Sequence, residues 1–487
     1  MIGALIIVPA LAGALCFALR STRARRVLLV ATAALHAALT VAAWRGSPEP
    51  TLYDWLALDD LGRLFLGITS LLFLVAAVYA VGYLAREKVR AAGDPGEDFL
   101  FRNIPEAAFT GCLLLFLSAM TLVITSRHLG LLWAGVEATT LASAPLIFFH
   151  RHQRSLEATW KYLVLCSLGI AVALLGSFFL SVALRETSSS SSLVLDDLLR
   201  RAPGADVPWL RAAFICLLVG YGTKMGLAPL HNWLPDAHSE APSVVSALLS
   251  GALLNCAFLA ILRVLQVCEA AGQGGFARDL LLGFGLFSMA TAAVFLVRQP
   301  DFKRLLAYSS VEHMGILAVG VGLGSLGSYG ALLHAVSHSL TKGMLFLVAG
   351  NIMSAYQTKA AGGVRGLLRG LPASGILWTA GFFAIAGSPP FGTFLSEFAI
   401  IRAALGLGRP LVAGAMLLLL GIIFAGMSRT MLAMAHGESP TQHPPEPLLA
   451  VAPPVMLAVL VLLLGLYIPP PLESTLRLAA RALGVPS

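Results

Sequence analysis

One apolar stretch of about 20 residues follows another along almost the whole of this 487-residue chain. About 20 such residues are what an α-helix needs to cross the hydrocarbon of a bilayer. Inside lipid each backbone N–H and C=O must find a partner within its own segment, which leaves helices as the reading for runs of this length. About fourteen spans result, near 2–19, 27–44, 62–84, 106–125, 129–149, 159–184, 211–229, 243–266, 279–297, 304–323, 328–353, 373–402, 410–434 and 449–468. The fold class is all-α and polytopic. The chain is 57% hydrophobic and 12% charged, where soluble domains average about 45–50% and about 25%, so no stretch remains for a soluble catalytic domain. Ile2 to Leu19 runs into Arg20, Arg23, Arg25 and Arg26 instead of a small-residue cleavage site, and reads as a first spanning helix rather than a signal peptide.

Basic residues concentrate in alternate loops: the cluster at 20–26, then Arg86, Lys88 and Arg90, then Arg151, Arg154 and Lys161, then Arg298, Lys303 and Arg304, then Lys359, Arg365 and Arg369. The positive-inside rule puts these loops in the cytoplasm and both termini outside, in a multi-pass protein of the cell inner (cytoplasmic) membrane. The formal net charge of +8 is accounted for by these loops and calls for no nucleic-acid partner. None of the six cysteines forms a Cys-x-x-Cys pair, so no redox centre or cofactor is expected in this chain. The serine run Ser188–Ser192, the amphipathic piece Leu193–Arg200 and Pro203 with Pro208 read as a surface loop. The segment 435–448, with His436, Pro440 and His443, reads as a solvated, Pro-broken loop rather than a metal site.

Two spans are interrupted. In the seventh, Gly220, Gly222, Lys224, Gly226 and Pro229 fall within three turns; in the twelfth, Ala386-Gly-Ser-Pro-Pro-Phe-Gly392 precedes Ser396 and Glu397. Irregular backbone at membrane depth is tolerated only inside protein or beside a water-filled cavity. A mid-membrane lysine costs about 2.5–3.5 kcal/mol on insertion scales, which makes it a functional candidate. Two broken helices with a charge near each break, five helices apart, are the trace expected of inverted repeats. The expected organisation is 1–105 as an N-terminal three-helix segment, 106–266 as the first five-helix repeat, 279–434 as the second, and 449–487 as the last helix and tail.

Further charges sit inside the spans. Glu137, in an otherwise apolar fifth helix, is expected to pair with Lys224, since an ammonium nearby keeps a buried carboxylate charged. His334, His338 and Lys342 are spaced i, i+4, i+8 and line one helix face, as a proton relay would. Zinc is not expected on this stripe, because no carboxylate or thiolate joins it locally and lysine is a poor ligand. Glu312 and His313 point about 100° apart on a helix, so at most one of them faces the interior path; His313 is the choice. Glu397 either closes the path at the second break or reaches the interface. His231, Asp236, His238 and Glu240 form a dense polar segment after the first break, read as a proton-collecting entrance or a simple turn.

These residues also carry a resemblance. Lys224-Met-Gly-Leu-Ala-Pro-Leu-His-Asn-Trp-Leu-Pro-Asp-Ala-His-Ser-Glu-Ala-Pro242, Ser246–Gly251, Arg304–Gly315, His334–Lys342 and Ser388–Glu397 are similar to the antiporter-like proton-pumping subunits of respiratory complex I, multisubunit sodium/proton antiporters and membrane-bound hydrogenases. The wording from Gly222 to Pro242 most resembles the hydrogenase-4 and formate hydrogenlyase branch. The resemblance implies a fourteen-helix core with broken helices 7 and 12, other integral membrane subunits as partners, and a peripheral redox arm holding nickel–iron and iron–sulfur centres. It identifies Glu137 with the helix 5 glutamate, Lys224 with the helix 7 lysine and Glu397 with the helix 12 charge. Asn255 stands where several complex I relatives have a lysine, and an amide orders water without taking up a proton. No long amphipathic lateral helix is expected after residue 468. The expected function is proton translocation within a redox complex, along Glu137, Lys224, Asn255, His338, Lys342 and Glu397. Cation/proton antiport, proton-driven inorganic carbon transport and a silent scaffold are the alternatives.

Overall fold

The computed structural model describes residues 1–46, 48–91, 103–184, 192–438 and 444–484. Arg185, most of the serine run, Pro440 and His443 lie outside the described residues. Among the described residues all regular structure is helical, with a few isolated bridges.

The first six helices are α1 (Ile2–Ala18), α2 (Thr22–Arg45), α3 (Asp60–Ala91), α4 (Glu106–Thr125), α5 (Leu129–Ile147) and α6 (Gln153–Ala183). The expected amphipathic piece forms α7 (Leu195–Arg201), and the seventh span is split into α8 (Val207–Met225) and α9 (Trp233–Glu240). One long span follows, made of α10 (Ser243–Leu248), a π-helical segment (Leu249–Leu253) and α11 (Leu254–Ala270). The second half holds α12 (Gly274–Leu296), α13 (Phe302–Gly322), α14 (Ser325–Tyr356), a short α15 (Leu367–Gly370), the split pair α16 (Pro372–Ile385) and α17 (Gly392–Gly406), α18 (Pro410–Ala435), α19 (Leu448–Leu466) and α20 (Pro470–Arg481). Among the described residues, eleven helices are long and apolar enough to cross a membrane. Adding α1 and the two split spans returns the fourteen read from the sequence.

Local chemistry sets the ends. Asp206 caps α8 through the Trp209 N–H, and Asp301 caps α13 through the Lys303 and Arg304 N–H groups. Helix α2 starts at Thr22, five residues earlier than hydropathy alone places it: Ser21 accepts from the Ala24 N–H, and Arg26 bonds Glu106 of α4 at 2.8 Å. In the tail, α20 is a short amphipathic helix packed on α3 and α14.

Burial grades from the centre outward. The spans 243–270, 302–322 and 326–356 are buried throughout their apolar windows, whereas those of α18, α2 and α19 are 22%, 33% and 33% buried. Helices enclosed on every side by protein can carry polar groups that a lipid-facing helix cannot. The central helices are the ones bearing Asn255, Glu312, His313, His334, His338 and Lys342.

The two breaks follow from their residues. Helix α8 stops because Gly226 takes φ +85° and Pro229 brings no N–H to continue the ladder. Helix α16 stops where Gly387 takes φ +62°, ahead of Ser388-Pro-Pro390. The first break is buried through Ala228 and exposed at Pro229, and the second is partly exposed from Ala386 and exposed at Pro389 and Pro390.

Candidate functional site: a row of buried polar side chains

Lys224 sits fully buried in the last turn of α8. Its Nζ donates to Thr140 Oγ1 of α5 at 2.8 Å and to the Tyr162 hydroxyl of α6 at 2.6 Å, and lies 4.5 Å from the Tyr162 ring centre. Two hydroxyl oxygens and a ring face offset the cost of taking the ammonium out of water. Tyr162 is tied in turn to Ser143 at 2.7 Å.

Glu137 is not in direct contact with this ammonium, contrary to the sequence expectation. Its Oε1 accepts from Ser167 Oγ at 2.8 Å, and its Oε2 is 3.4 Å from Thr140 Oγ1. The Thr140 hydroxyl therefore stands between carboxylate and ammonium. Helix spacing explains it, because i and i+3 share a face and Thr140 lies one turn beyond Glu137 toward Lys224. The pattern Glu137-Ala-Thr-Thr140 was the available signal, though hydroxyls do not register in a charge count.

The next polar groups lie on the central helices. The π segment widens the helix around Gly251, and the Asn255 side chain donates to the Gly251 carbonyl at 2.9 Å and to Ser339 Oγ of α14 at 2.8 Å. Asn255 Oδ1 is buried with no hydrogen-bond partner. Across the same interior, Ser250 bonds Ser310 at 2.8 Å. Lys342 donates to the Leu306 carbonyl and to Ser309 Oγ, both on α13.

At the second break three helices converge. His313 Nδ1 of α13 is 2.8 Å from His334 Nε2 of α14, and His334 Nδ1 is 2.8 Å from Ser396 Oγ of α17. Ser396 donates its own proton to the Thr393 carbonyl at 2.7 Å, so it accepts from His334 Nδ1–H. His334 Nε2 is then a lone pair facing His313 Nδ1–H. His338 lies 4.9 Å from His313, ring centre to ring centre, with neither nitrogen hydrogen-bonded. Glu397 is 6% exposed, and it folds back on the break: a Cβ built on Gly387 would fall 2.0 Å from Glu397 Oε2. It reaches the interior rather than the interface. One donor atom each of His313, His334 and Glu397 lies within 4.8 Å of the others, so the fold supplies the carboxylate that the histidine stripe lacks locally.

One sequence choice is corrected. At most one of Glu312 and His313 was expected to face the interior, with His313 the choice, yet both are buried, at 2% and 0% exposure. Protein surrounds α13 on all sides, so a 100° separation sends neither residue to lipid. Glu312, with Oε2 unpartnered, joins the row as a residue that sequence reasoning passed over.

The segment after the first break folds as α9 and brings its acidic groups into ion pairs. Asp236 bridges Lys161 at 2.9 Å and Arg304 at 2.5 Å, while Glu240 meets Lys359 at 2.8 Å and His152 at 3.5 Å. His238 is buried against the Phe346 ring, 5.3 Å between centres, with both nitrogens unpartnered. His231 is buried beside the Phe295 and Tyr308 rings, its Nδ1 also unpartnered.

Comparison with known proteins bears on the family and the fold. Residues 126–424 match the family model described as NADH:quinone oxidoreductase/Mrp antiporter, TM. The hydrogenase-4 component F homolog of Methylacidiphilum infernorum is 35% identical over 415 residues, which is 85% of this chain and 85% of that one. The structure of the membrane-bound sulfane sulfur reductase, an archaeal respiratory membrane complex, contains a chain that superposes with TM-score 0.87 at 21% identity over 99% of this chain and 98% of its own. A chain of respiratory complex I from Thermus thermophilus superposes with TM-score 0.77 at 26% identity over 96% and 97%. With the matched region running through both breaks and all of the buried row, this polytopic chain belongs to the NADH:quinone oxidoreductase/Mrp antiporter family of membrane subunits.

Proposed function

We propose that the chain is the proton-translocating, antiporter-like subunit of a membrane-bound redox complex of the hydrogenase-4 type. The observation that carries this reading is the succession of titratable or water-ordering groups from a half-buried Glu137 through the buried Lys224, Asn255, Lys342, Glu312, His338, His313 and His334 to the buried Glu397. A structural role alone calls for satisfied partners, and Asn255, Glu312, His313, His338 and Glu397 each hold a buried polar atom without one. Ordered water or a moving proton would satisfy such atoms.

In this mechanism Glu137 is the trigger and Thr140 the coupling. Protonating Glu137 removes a negative charge two hydrogen bonds from Lys224, and the ammonium, less strongly held by Coulomb attraction, releases its proton toward Asn255 and its waters. Lys342 and the histidines pass it on, and Glu397 delivers it at the second break. His231 and His238 beside α9 form the entrance, with Asp236 and Glu240 holding α9 to the neighbouring helices. The two halves, 106–266 and 279–434, act as inverted repeats: α6 packs on α8 and α9 on either side of the first break as α14 packs on α16 and α17 on either side of the second. The complex contributes further membrane subunits and a peripheral arm carrying the nickel–iron and iron–sulfur centres. It sits in the inner membrane with both termini of this chain outside.

Purification from mild detergent with native partners tests the assignment. Iron–sulfur and nickel–iron subunits are the expected companions. Small antiporter subunits alone would favour cation/proton exchange, in line with the antiporter half of the family's description. Lys224→Ala is expected to leave the complex assembled and abolish coupled vesicle acidification; full acidification by this variant sinks the mechanism.

A further inference from the structure

The same convergence of α13, α14 and α17 has the chemistry of a metal site. We infer that His313, His334 and Glu397 form a binding site for one divalent transition-metal cation of the zinc type. Two imidazoles and one carboxylate are a donor set that four-coordinate zinc takes up with a water in the fourth position. The three donor atoms come from three different helices, yet lie within 4.8 Å of one another, and each residue is buried.

Two observations beyond proximity point to a cation. Glu397 Oε1 is buried without a hydrogen-bond partner. The bond from His334 Nδ1–H to Ser396 Oγ fixes the ring orientation and turns the Nε2 lone pair inward, the arrangement in which a metal-binding histidine is held by a partner on its other nitrogen. Zinc–nitrogen bonds of about 2.0–2.1 Å in a tetrahedron separate two ring nitrogens by about 3.3 Å. The His313 Nδ1 to His334 Nε2 distance is 2.8 Å, so a cation would replace the shared proton after an opening of about half an ångström.

The surroundings allow it. The Lys342 ammonium, two turns along α14 from His334, is turned toward α13 and held by the Leu306 carbonyl and Ser309. His338 stacks near the pair with both nitrogens open, at 4.9 Å from His313 and 6.3 Å from His334 between ring centres. Access runs through the second break, where Gly387 and Ser388 are partly exposed and Glu397 lies directly beneath Gly387.

The test is a Co2+ titration of the purified full chain in detergent, read by the visible absorption of four-coordinate cobalt and followed by competition with Zn2+. One Co2+ per chain, displaced by one Zn2+, is expected. His334→Ala and Glu397→Gln should each weaken binding at least 100-fold, and Ser396→Ala about tenfold, because it loosens only the orientation of His334. Where a variant does not fold, X-ray absorption of the unmodified chain with one equivalent of Zn2+ reads the ligands directly, with two imidazoles expected. A titration without a saturable four-coordinate spectrum, one unchanged in His334→Ala, or zinc lacking imidazole ligands would overturn the site. None of these readouts depends on proton translocation, so failure of the site and failure of the function proposed above are separable.

Discussion

The two breaks solve the same problem in opposite ways. At the first, a lysine is buried with its amine occupied: Lys224 Nζ donates to two hydroxyls and lies on an aromatic face, and residues 220–228 around it are buried, with exposure beginning only at Pro229. At the second, neutral or acidic groups are buried with atoms to spare, and the backbone opens at Pro389 and Pro390. His36, bonded to Ser70 at 2.9 Å and Thr121 at 3.0 Å, shows what a satisfied buried histidine of this chain looks like, and His338 is its opposite. A cradle with every donor used stores a charge, whereas a cluster with unused lone pairs is ready to receive one.

Variants can break this contrast. The largest effect is expected from Glu397→Gln, which keeps the shape at the second break and removes the acceptor: vesicle acidification should fall about 1000-fold. Retention of even a tenth of the rate would mean that the second break is not the delivery point.

A second variant examines a charge pair outside the row. Arg263 of α11 is buried and bonds Asp59 at 2.7 Å, and Arg127 lies 3.5 Å from the same carboxylate. Burial by itself would raise the Asp59 carboxyl, but the two guanidinium groups and the Gly62 N–H hold it well below the usual carboxylate range. Its contribution to stability is therefore complete above the ordinary value of about 3.9 and is lost only as the pH falls below it, toward the depressed folded value. Asp59→Asn strands Arg263 and should cost about 3 kcal/mol at neutral pH. Thermal unfolding of the purified chain measures this, and an unchanged midpoint would show that Arg263 finds another partner.

Thr140→Val tests the hydroxyl bridge. It should slow acidification about tenfold, with Thr140→Ser restoring it and shifting the pH profile less than Val does. Equal rates in all three would return Glu137 and Lys224 to a direct pair. The smallest effect belongs to Asn255→Ala, which frees the Gly251 carbonyl at a cost of about 1 kcal/mol and slows transport only a few-fold. A complete block there would make Asn255 an obligatory station rather than a holder of water.

Much of this was legible in the residues. Apolar runs gave the spans, Gly and Pro marked both breaks, and the i, i+4, i+8 spacing put His334, His338 and Lys342 on one face. What escaped had tertiary causes. Glu312 is buried because α13 is enclosed by other helices, a circumstance no single helix reveals. The π segment at Leu249–Leu253 rests on Asn255 reaching Gly251 and Ser339, and its only sequence trace is Ser250-Gly251. Glu397 joins the histidines because its side chain turns back over Gly387, whereas its place near a helix start left the interface open as an alternative. Thr140 was overlooked because a threonine in a span looks inert until its neighbours are known.

The central placement of the row has an electrical consequence. Glu137, Asn255, His313 and His338 each fall in the middle third of their spans, so they lie at similar depth in the transmembrane voltage. A charge passing among them does little work against that voltage, since the cost of about 2.3 kcal/mol per elementary charge per 100 mV applies to displacement across the membrane. If protons follow the proposed path, the voltage-sensitive steps are the legs that join the row to the two aqueous faces, past α9 and through the second break.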